Sequence, residues 1–134
     1  MAEYHGTAAL ARAVAFDERC ATIFVDATGT IQTWNRAAEL IFGYNADEAI
    51  GQRADLIVPA ELREHHWRGF HRAVASSWPG SAAWGPIEPR HRSGRPIMLE
   101  VFLIGICESP AAPLAGIVSL FRTPAPAVWE DESQ

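Results

Sequence analysis

The chain has 134 residues, a formal net charge of −5, 49% hydrophobic residues and 20% charged residues. These values are typical of one globular domain with its own core and exclude a disordered chain. The negative net charge does not favour a basic surface that binds nucleic acid. All eleven Lys or Arg positions are Arg, which excludes Schiff-base chemistry on lysine and the phosphate-binding lysines of kinases and P-loops.

The two cysteines, Cys20 and Cys107, lie far apart and form no CxxC motif. We therefore predict free thiols, which suit a reducing compartment, and neither a zinc site nor a disulfide framework. No apolar run approaches the length of a membrane span, and the N-terminus lacks the apolar core of a signal peptide. The sequence thus indicates a cytoplasmic protein with no membrane or nucleic-acid partner.

The first half of the chain is predicted to alternate between helices and short strands. Thr7 is suited to cap a helix within residues 1–19, and Gly29 is suited to a turn between two strands. Asn35 can cap the next helix and Gly43 can end it. The predicted elements are strands at 21–26 and 31–34, helices at 36–42 and 47–50, and an irregular segment at 52–58.

The second half is predicted to contain one longer helix and three strands. The helix runs from Pro59 to Val74, because proline suits a first turn and no other proline interrupts the four turns that follow. The strands are predicted at 84–92, 96–107 and 114–122. Residues 124–134 are predicted to form a disordered acidic tail. This order of elements predicts an α+β fold with a five-stranded antiparallel sheet.

The strand at 96–107 is apolar on both of its faces. The alternating sets are Ile97, Leu99, Val101 and Leu103 on one face, and Met98, Glu100, Phe102 and Ile104 on the other. Both faces must therefore be covered. We expect the central helices on one face, and the N-terminal helix or a second subunit on the other.

The longer helix carries an apolar stripe that includes a histidine. At 3.6 residues per turn, the stripe consists of Leu62, His66, Gly69, Phe70 and Ala73. The same period assigns Glu61, His65, Arg68 and Arg72 to the solvent face. His66 must then be neutral, hydrogen-bonded or bound to metal, because burial of a charged and unpaired imidazole is costly.

The stripe is compatible with a haem site. His66 would be the axial ligand, Gly69 would leave space for a flat ligand, and Arg72 would reach a carboxylate at the rim. The alternative is a core histidine whose ring bonds a backbone carbonyl. A non-haem metal site that combines Glu64, His65, His66 and His71 is disfavoured, because adjacent helical residues point to different faces.

Further motifs fall at the predicted turns and helix ends. They are Asp26-x-x-Gly29-x-Ile31, Trp34-Asn35-x-Ala37-Ala38, Phe42-Gly43-Tyr44, Glu48-x-x-Gly51, Ile57-Val58-Pro59, Arg92-Ser93-Gly94 and Gly116-Ile117-Val118. In this order and spacing they resemble the PAS domain family over roughly residues 16–123. The resemblance implies a curved antiparallel sheet with helices on one face that enclose a ligand pocket. It also implies an N-terminal helix on the other face and a homodimer through that helix and the outer sheet face.

Within that family, the spacing of Pro59, His66 and Arg72 is similar to that of the haem-binding oxygen sensors of sensor histidine kinases. The likeness implies haem b, with His66 bound to the iron, fixed by a hydrogen bond on its other ring nitrogen, and Arg72 at the propionates, aided by Arg63 or His71. The expected cofactor contacts are His66, Arg72, Arg63, Leu62, Phe70, Trp84, Val118 and Leu120. Of these, Val118 and Leu120 would form an apolar distal wall, and Trp84 could donate to a diatomic ligand.

The chain departs from that subclass at two positions. Gly69 is displaced by one residue from the Asp-Gly that follows the ligating histidine, and Gly85 stands where the distal arginine is expected. The Asn-Cys-Arg-Phe-Leu-Gln stretch of flavin photoreceptors is absent. Neither cysteine is placed to hold the chromophore of the photoactive-yellow-protein type.

Two functions are therefore considered. The first is a haem-based sensor of a diatomic gas (oxygen, CO or NO) or of redox state. The second is a PAS module that binds another small apolar molecule, or none, and acts as a dimerisation or docking surface. No catalytic pattern indicates an enzyme, and the signal would pass to a partner in trans or to an output domain outside this chain.

Overall fold

The computed structural model describes residues 20–75, 84–109 and 112–124. The predicted N-terminal helix, most of the loop after the long helix and the acidic tail lie outside these residues. The strands are β1 (Ala21–Asp26), β2 (Ile31–Trp34), β3 (Gly85–Ile87), β4 (Leu99–Cys107) and β5 (Leu114–Arg122). The α-helices are α1 (Arg36–Phe42), α2 (Ala46–Ala49) and α3 (Arg63–Ala75), with 3-10 turns at Ala54–Ile57 and Ala60–Leu62.

The five strands form one antiparallel sheet in the order β2-β1-β5-β4-β3. The first and last of the described strands, β1 and β5, therefore lie side by side within the sheet, with Ile23 opposite Ser119 and Val25 opposite Ile117. The helices and 3-10 turns connect β2 to β3. The predicted α+β class and five-stranded antiparallel sheet are confirmed.

Asn35 explains why β2 ends and α1 begins where they do. Its side-chain Oδ1 accepts hydrogen bonds from the backbone N–H of Ala38 at 3.0 Å and of Thr22 at 2.9 Å. Its Nδ2 donates to the carbonyl of Cys20 at 2.8 Å. One buried amide thus caps α1 and fixes the helix to the start of β1. At the other end, Gly43 adopts a left-handed conformation with φ of 86°.

Five predicted elements differ from the structure in their bounds. The helix predicted at 47–50 is α2, Ala46–Ala49. The helix predicted from Pro59 to Val74 begins as the 3-10 turn Ala60–Leu62 and continues as α3, Arg63–Ala75. The strand predicted at 84–92 is reduced to β3, since Pro86 and Pro89 cannot donate ladder hydrogen bonds. Beyond β3 only an isolated bridge joins Arg90 to Pro96, and β4 begins at Leu99. The segment predicted as irregular contains the 3-10 turn Ala54–Ile57.

The sheet buries apolar side chains on both faces. The inner face, which α3 and the 3-10 turns cover, carries Ile23, Val25, Ile117 and Phe121. The outer face carries a second buried cluster of Phe24, Ile106 and Val118, flanked by Ile104 and Leu120. On β4, Leu99 on the inner face and Ile106 on the outer face are buried, whereas Phe102 and Ile104 on the outer face are half-buried. The expected cover of the outer face by the N-terminal helix or a second subunit stays a prediction. No helix in the described part of the chain is long and apolar enough to cross a membrane.

Candidate functional site

A cavity of about 520 Å³ lies between α3 and the inner face of the sheet. Ligand sites of proteins fall within this range of volume and are mainly apolar. The lining consists of Ile23, Val25, Ile31, Trp34, Ala54, Ile57, Val58, Pro59, Leu62, His65, His66, Gly69, Phe70, Ala73, Ile87, Glu88, Pro89, Val101, Leu103, Ile117, Ser119 and Phe121. Apart from four polar side chains, this lining is apolar, so the cavity is suited to a mainly hydrophobic molecule.

The helix wall of the cavity is the apolar stripe predicted from the sequence. Leu62, His66, Gly69, Phe70 and Ala73 all line it, as the helical period requires. At Gly69, an added Cβ would meet no atom within 4 Å. The absence of a side chain at this residue therefore leaves open space beside His66.

His66 presents a polar ring in this apolar wall. The ring packs edge-on against Trp67, with centroids 4.8 Å apart, and stacks on Phe70 at 6.4 Å. Its Nδ1 is buried and has no hydrogen-bond partner among the described residues. The structure therefore does not support the alternative of a core histidine bonded to a backbone carbonyl, nor the expected hydrogen bond that would fix the ring for a metal.

Burial lowers the pKa of His66, and the neighbouring His65 lowers it further, while the negative charge of Asp55 opposes the shift. The dominant cause is desolvation, because the charged imidazolium loses more hydration than the neutral ring. His66 is thus held in the neutral form, in which one ring nitrogen donates and the other accepts a hydrogen bond.

Trp67 fixes the orientation of α3 beside the cavity. Its Nε1 donates to Asp55 Oδ2 at 3.4 Å, and the Arg53 guanidinium lies 4.3 Å from the ring centroid. A Cβ at Gly29 would lie 2.6 Å from the Trp67 ring, and the φ of Gly29 is +89°. The β1–β2 turn therefore needs glycine both for its conformation and to admit this tryptophan. His66, the residue before Trp67, lines the cavity.

The sheet wall differs from the prediction on β5. Ile117, Ser119 and Phe121 face the cavity, whereas Val118 and Leu120 belong to the cluster on the outer face. The expectation that Val118 and Leu120 form the distal wall is therefore wrong. The reason is that both faces of β5 are buried, so that apolar residues alone do not show which face is inner.

Trp84 also lies away from the cavity. Its ring packs against Phe102, with centroids 5.5 Å apart, and Arg122 lies over it at 3.8 Å from the centroid. Arg122 in turn binds Glu100 at 2.9 Å. The residues around Trp84 alternate along β4 and β5 with residues that line the cavity; they are Glu100, Phe102 and Arg122. These residues, and Trp84 with them, therefore lie on the outer face. The expected donation from Trp84 to a cavity ligand is therefore not supported.

The arginines expected at the propionates do not line the cavity. Arg63 is exposed, and its Nε donates to the carbonyl of Val58 at 3.2 Å. Arg72 and His71 are exposed on α3. His65 was assigned to the solvent face, and it is exposed, but it also lines the cavity rim.

The rim of the cavity is defined here by its exposed lining residues near the start of α3 and on β3. Several lining residues at this side are exposed, among them Leu62 at 49% and Ile87 at 40%. Glu88 and His65 lie at the same rim. The rim is therefore the only charged part of the described lining. No group of three or more His, Cys, Asp or Glu side chains converges as a metal site within the described ranges.

Sequence reasoning missed the sheet wall, including Ser119, and the rim residue Glu88. Ser119 was missed because a polar residue on a buried strand is normally assigned to the outer face. One signal could have corrected this assignment. On β1 the apolar Ile23 alternates with the polar Thr22, which favours Ile23 as an inner-face residue, and Ser119 lies opposite Ile23 in the sheet.

The family model described as "PAS fold" matches residues 12–104, which is more than half of the chain. The chain belongs to the PAS family. An uncharacterized protein of Azorhizobium caulinodans is 39% identical over 57 residues, which make up 42% of this chain and 8% of that protein. The match thus spans a small part of the length of that relative.

Solved structures share the fold of this PAS domain. A PAS domain of a protein from Colwellia psychrerythraea is 26% identical, covers 87% of this chain and 97% of its own, and has a TM-score of 0.67. The LOV protein of Rhodobacter sphaeroides is 14% identical, covers 92% of this chain and 69% of its own, and has a TM-score of 0.68. At that identity the likeness to the LOV protein shows the fold alone.

Proposed function

We propose that this PAS domain is a sensor that binds one small, mainly apolar molecule in the cavity between α3 and the sheet. PAS domains are generally sensory or interaction modules rather than enzymes. The observation that carries the proposal is the volume of about 520 Å³ with an almost wholly apolar lining. The ligand would contact both α3 and the central strands β1 and β5. Its binding would therefore change the packing of α3 on the middle of the sheet.

Haem is one specific ligand to be tested. His66 would hold the iron through a ring nitrogen, since it is neutral and lies in the cavity wall. Gly69 leaves space beside it. Haem bound there would supply an iron centre for oxygen, CO or NO, or for a change of redox state.

Two features do not fit a haem site. A histidine that binds metal normally donates its second ring N–H to an acceptor, and Nδ1 of His66 has no partner among the described residues. No arginine belongs to the described lining, so no cation there pairs with propionates. Among the described residues, His66 would thus be a ligand to iron without the other contacts of a haem site, and a colourless apolar ligand is the alternative to test.

One preparation distinguishes these ligands. The full chain is purified, its absorption spectrum is recorded before and after haemin is added, and an organic extract is examined by mass spectrometry. An intense Soret band that is lost in His66→Ala and kept in His65→Ala would support haem. A colourless molecule that is extracted from the wild type but not from Gly69→Leu, which fills the cavity, would support an apolar ligand. A protein that yields no extract and takes up no haemin would contradict the proposal.

A role in protein interaction is the second candidate. The outer sheet face carries the apolar cluster of Phe24, Ile106 and Val118, and we propose that this face and residues 1–19 form a homodimer that passes the signal on. Sedimentation equilibrium of the full chain tests this, with Leu120→Lys on the outer face compared with Leu40→Lys on the exposed side of α1. Loss of the dimer in Leu120→Lys alone supports the role, whereas a monomeric wild type contradicts it.

A further inference from the structure

The cavity contains two polar groups that the protein itself leaves without partners. They are the His66 ring on the helix wall and the Ser119 hydroxyl on the sheet wall. Among the described residues, neither side chain makes a hydrogen bond to protein. Because α3 packs against β5, the two groups belong to walls that face each other across the cavity.

Ser119 is unusual among the inner-face residues of β5. Its inner-face neighbours along the strand are Ile117 and Phe121, and its partners in the sheet are Ile23 on β1 and Leu103 on β4. All four of these residues line the cavity. The hydroxyl is thus the one polar side chain in an apolar region of the sheet wall.

The cost of leaving these groups unpaired determines what fills the cavity. A purely hydrocarbon ligand would displace water from Ser119 and His66 and leave both without hydrogen bonds, which is unfavourable. A ligand with a hydroxyl, carbonyl or amide group at the matching position replaces those bonds. Because Nδ1 of His66 is enclosed by protein, Nε2 is the ring nitrogen that can meet a ligand, and it donates or accepts according to the tautomer. The serine hydroxyl can do both, so either kind of ligand group is satisfied.

The charges around the cavity argue against an ionised group deep inside it. No Arg or Lys belongs to the described lining, and the carboxylate in that lining, Glu88, lies at the rim. An anion bound next to Ser119 would therefore lose its hydration without gaining a counter-charge. A cation there would face the same loss.

We infer that the ligand is an uncharged, mainly hydrophobic molecule that carries at least one hydrogen-bonding group, and that Ser119 and His66 select it. This inference rests on the proposed function, since it describes the ligand of the same cavity. It assigns the two residues as determinants of specificity, with the apolar lining as the source of most of the affinity.

A matched series of probes tests the inference. Naphthalene, 2-naphthol and 2-naphthoate share one ring system and differ in a hydrogen, a hydroxyl and a carboxylate. Their dissociation constants for the full chain are measured at pH 7.5 by equilibrium dialysis. We expect 2-naphthol to bind about two- to tenfold more tightly than naphthalene, which is the range of one net hydrogen bond. We expect 2-naphthoate to bind most weakly.

Two variants test whether Ser119 and His66, rather than the apolar lining, provide this selectivity. In the double variant Ser119→Ala, His66→Phe, the ratio of the naphthalene and 2-naphthol dissociation constants should fall to about one, because neither replacement side chain can form a hydrogen bond. The matched control is Ser109→Ala, an exposed serine outside the cavity, which should keep the advantage.

Failure of the inference is distinct from failure of the proposed function. If naphthalene and 2-naphthol bind equally, or 2-naphthoate binds best, the cavity binds ligands but the assigned selectivity is wrong. If the advantage of 2-naphthol survives in the double variant, the two residues do not provide it. If none of the three probes binds, the proposed ligand cavity itself is refuted.

Discussion

Asn35 connects two elements through one side chain. Its amide satisfies the backbone N–H groups of Ala38 and Thr22 and the carbonyl of Cys20, and it is 8% exposed. Loss of an N-cap costs about 0.5–2 kcal/mol, and an unpaired buried N–H costs about 1–3 kcal/mol. The sequence predicts the capping role from an asparagine before a helical pattern, but not the bonds to β1, which depend on tertiary contacts.

We expect Asn35→Ala to lower the free energy of unfolding by about 1.5–5 kcal/mol, the sum of these two effects. Urea denaturation measures this change. The control is Asn45→Ala at the exposed start of α2, where water can replace a lost bond, so the loss should be below about 1 kcal/mol. Equal losses in the two variants would show that the bonds to β1 contribute nothing.

His66 should make the stability of the protein depend on pH. Burial keeps the pKa of His66 in the folded protein below its ordinary value of about 6.5. The unfolded chain therefore binds more protons as the pH falls through about 6.5, and the free energy of unfolding decreases toward acid pH. The decrease ends once the pH is below the pKa of His66 in the folded state.

Urea denaturation between pH 5 and 8 tests this expectation. His66→Gln should flatten the dependence near pH 6, since its amide does not titrate. His65→Gln removes an exposed histidine from the same helix and serves as the control. The account would be wrong if His65→Gln flattened the curve as much as His66→Gln, or if stability rose toward acid pH.

At the scale of elements, the bounds of β1, β2, α1 and β5 follow from the sequence. Each is bordered by residues with a local physical reason, such as the cap at Asn35 and the left-handed Gly43. The faces of β5 could not be predicted in the same way, because Val118 and Leu120 are as apolar as Ile117 and Phe121. Which set faces the cavity is decided by pairing with β1 and by the packing of α3 on β5.

Two glycines should respond in opposite ways to alanine. Gly69 lies inside α3 with open space around an added Cβ, so Gly69→Ala should raise the free energy of unfolding by about 0.8–1 kcal/mol through helix propensity. Gly116 lies on β5, where a Cβ would collide with the carbonyl of Val25 and lie 2.7 Å from the Phe24 ring. Gly116→Ala should destabilise the protein by about 1–3 kcal/mol or more through overpacking.

Urea denaturation of the two glycine variants measures both changes. A destabilising Gly69→Ala would mean that protein side chains already fill the space beside His66. That result would also weaken the case for a ligand that lies against α3 at Gly69.

At the scale of the whole molecule, one sheet separates two apolar environments. The inner face borders a cavity that protein side chains leave open, whereas the outer face is packed around Phe24, Ile106 and Val118. The strands β1 and β5 contribute to both, with residues that alternate between the faces. A ligand on the inner face would therefore act on the outer face through the backbone of two central strands.

The central claim is that a small molecule binds on the inner face, between α3 and β5. Nuclear Overhauser effects between 2-naphthol and the methyl groups of the full chain test it most directly, because neighbouring residues of β5 face opposite ways. The account predicts contacts from the probe to Ile117 and Val101, and none to Val118 or Leu120. Contacts to Val118 and Leu120 instead, or no contacts at a saturating concentration of the probe, would contradict it.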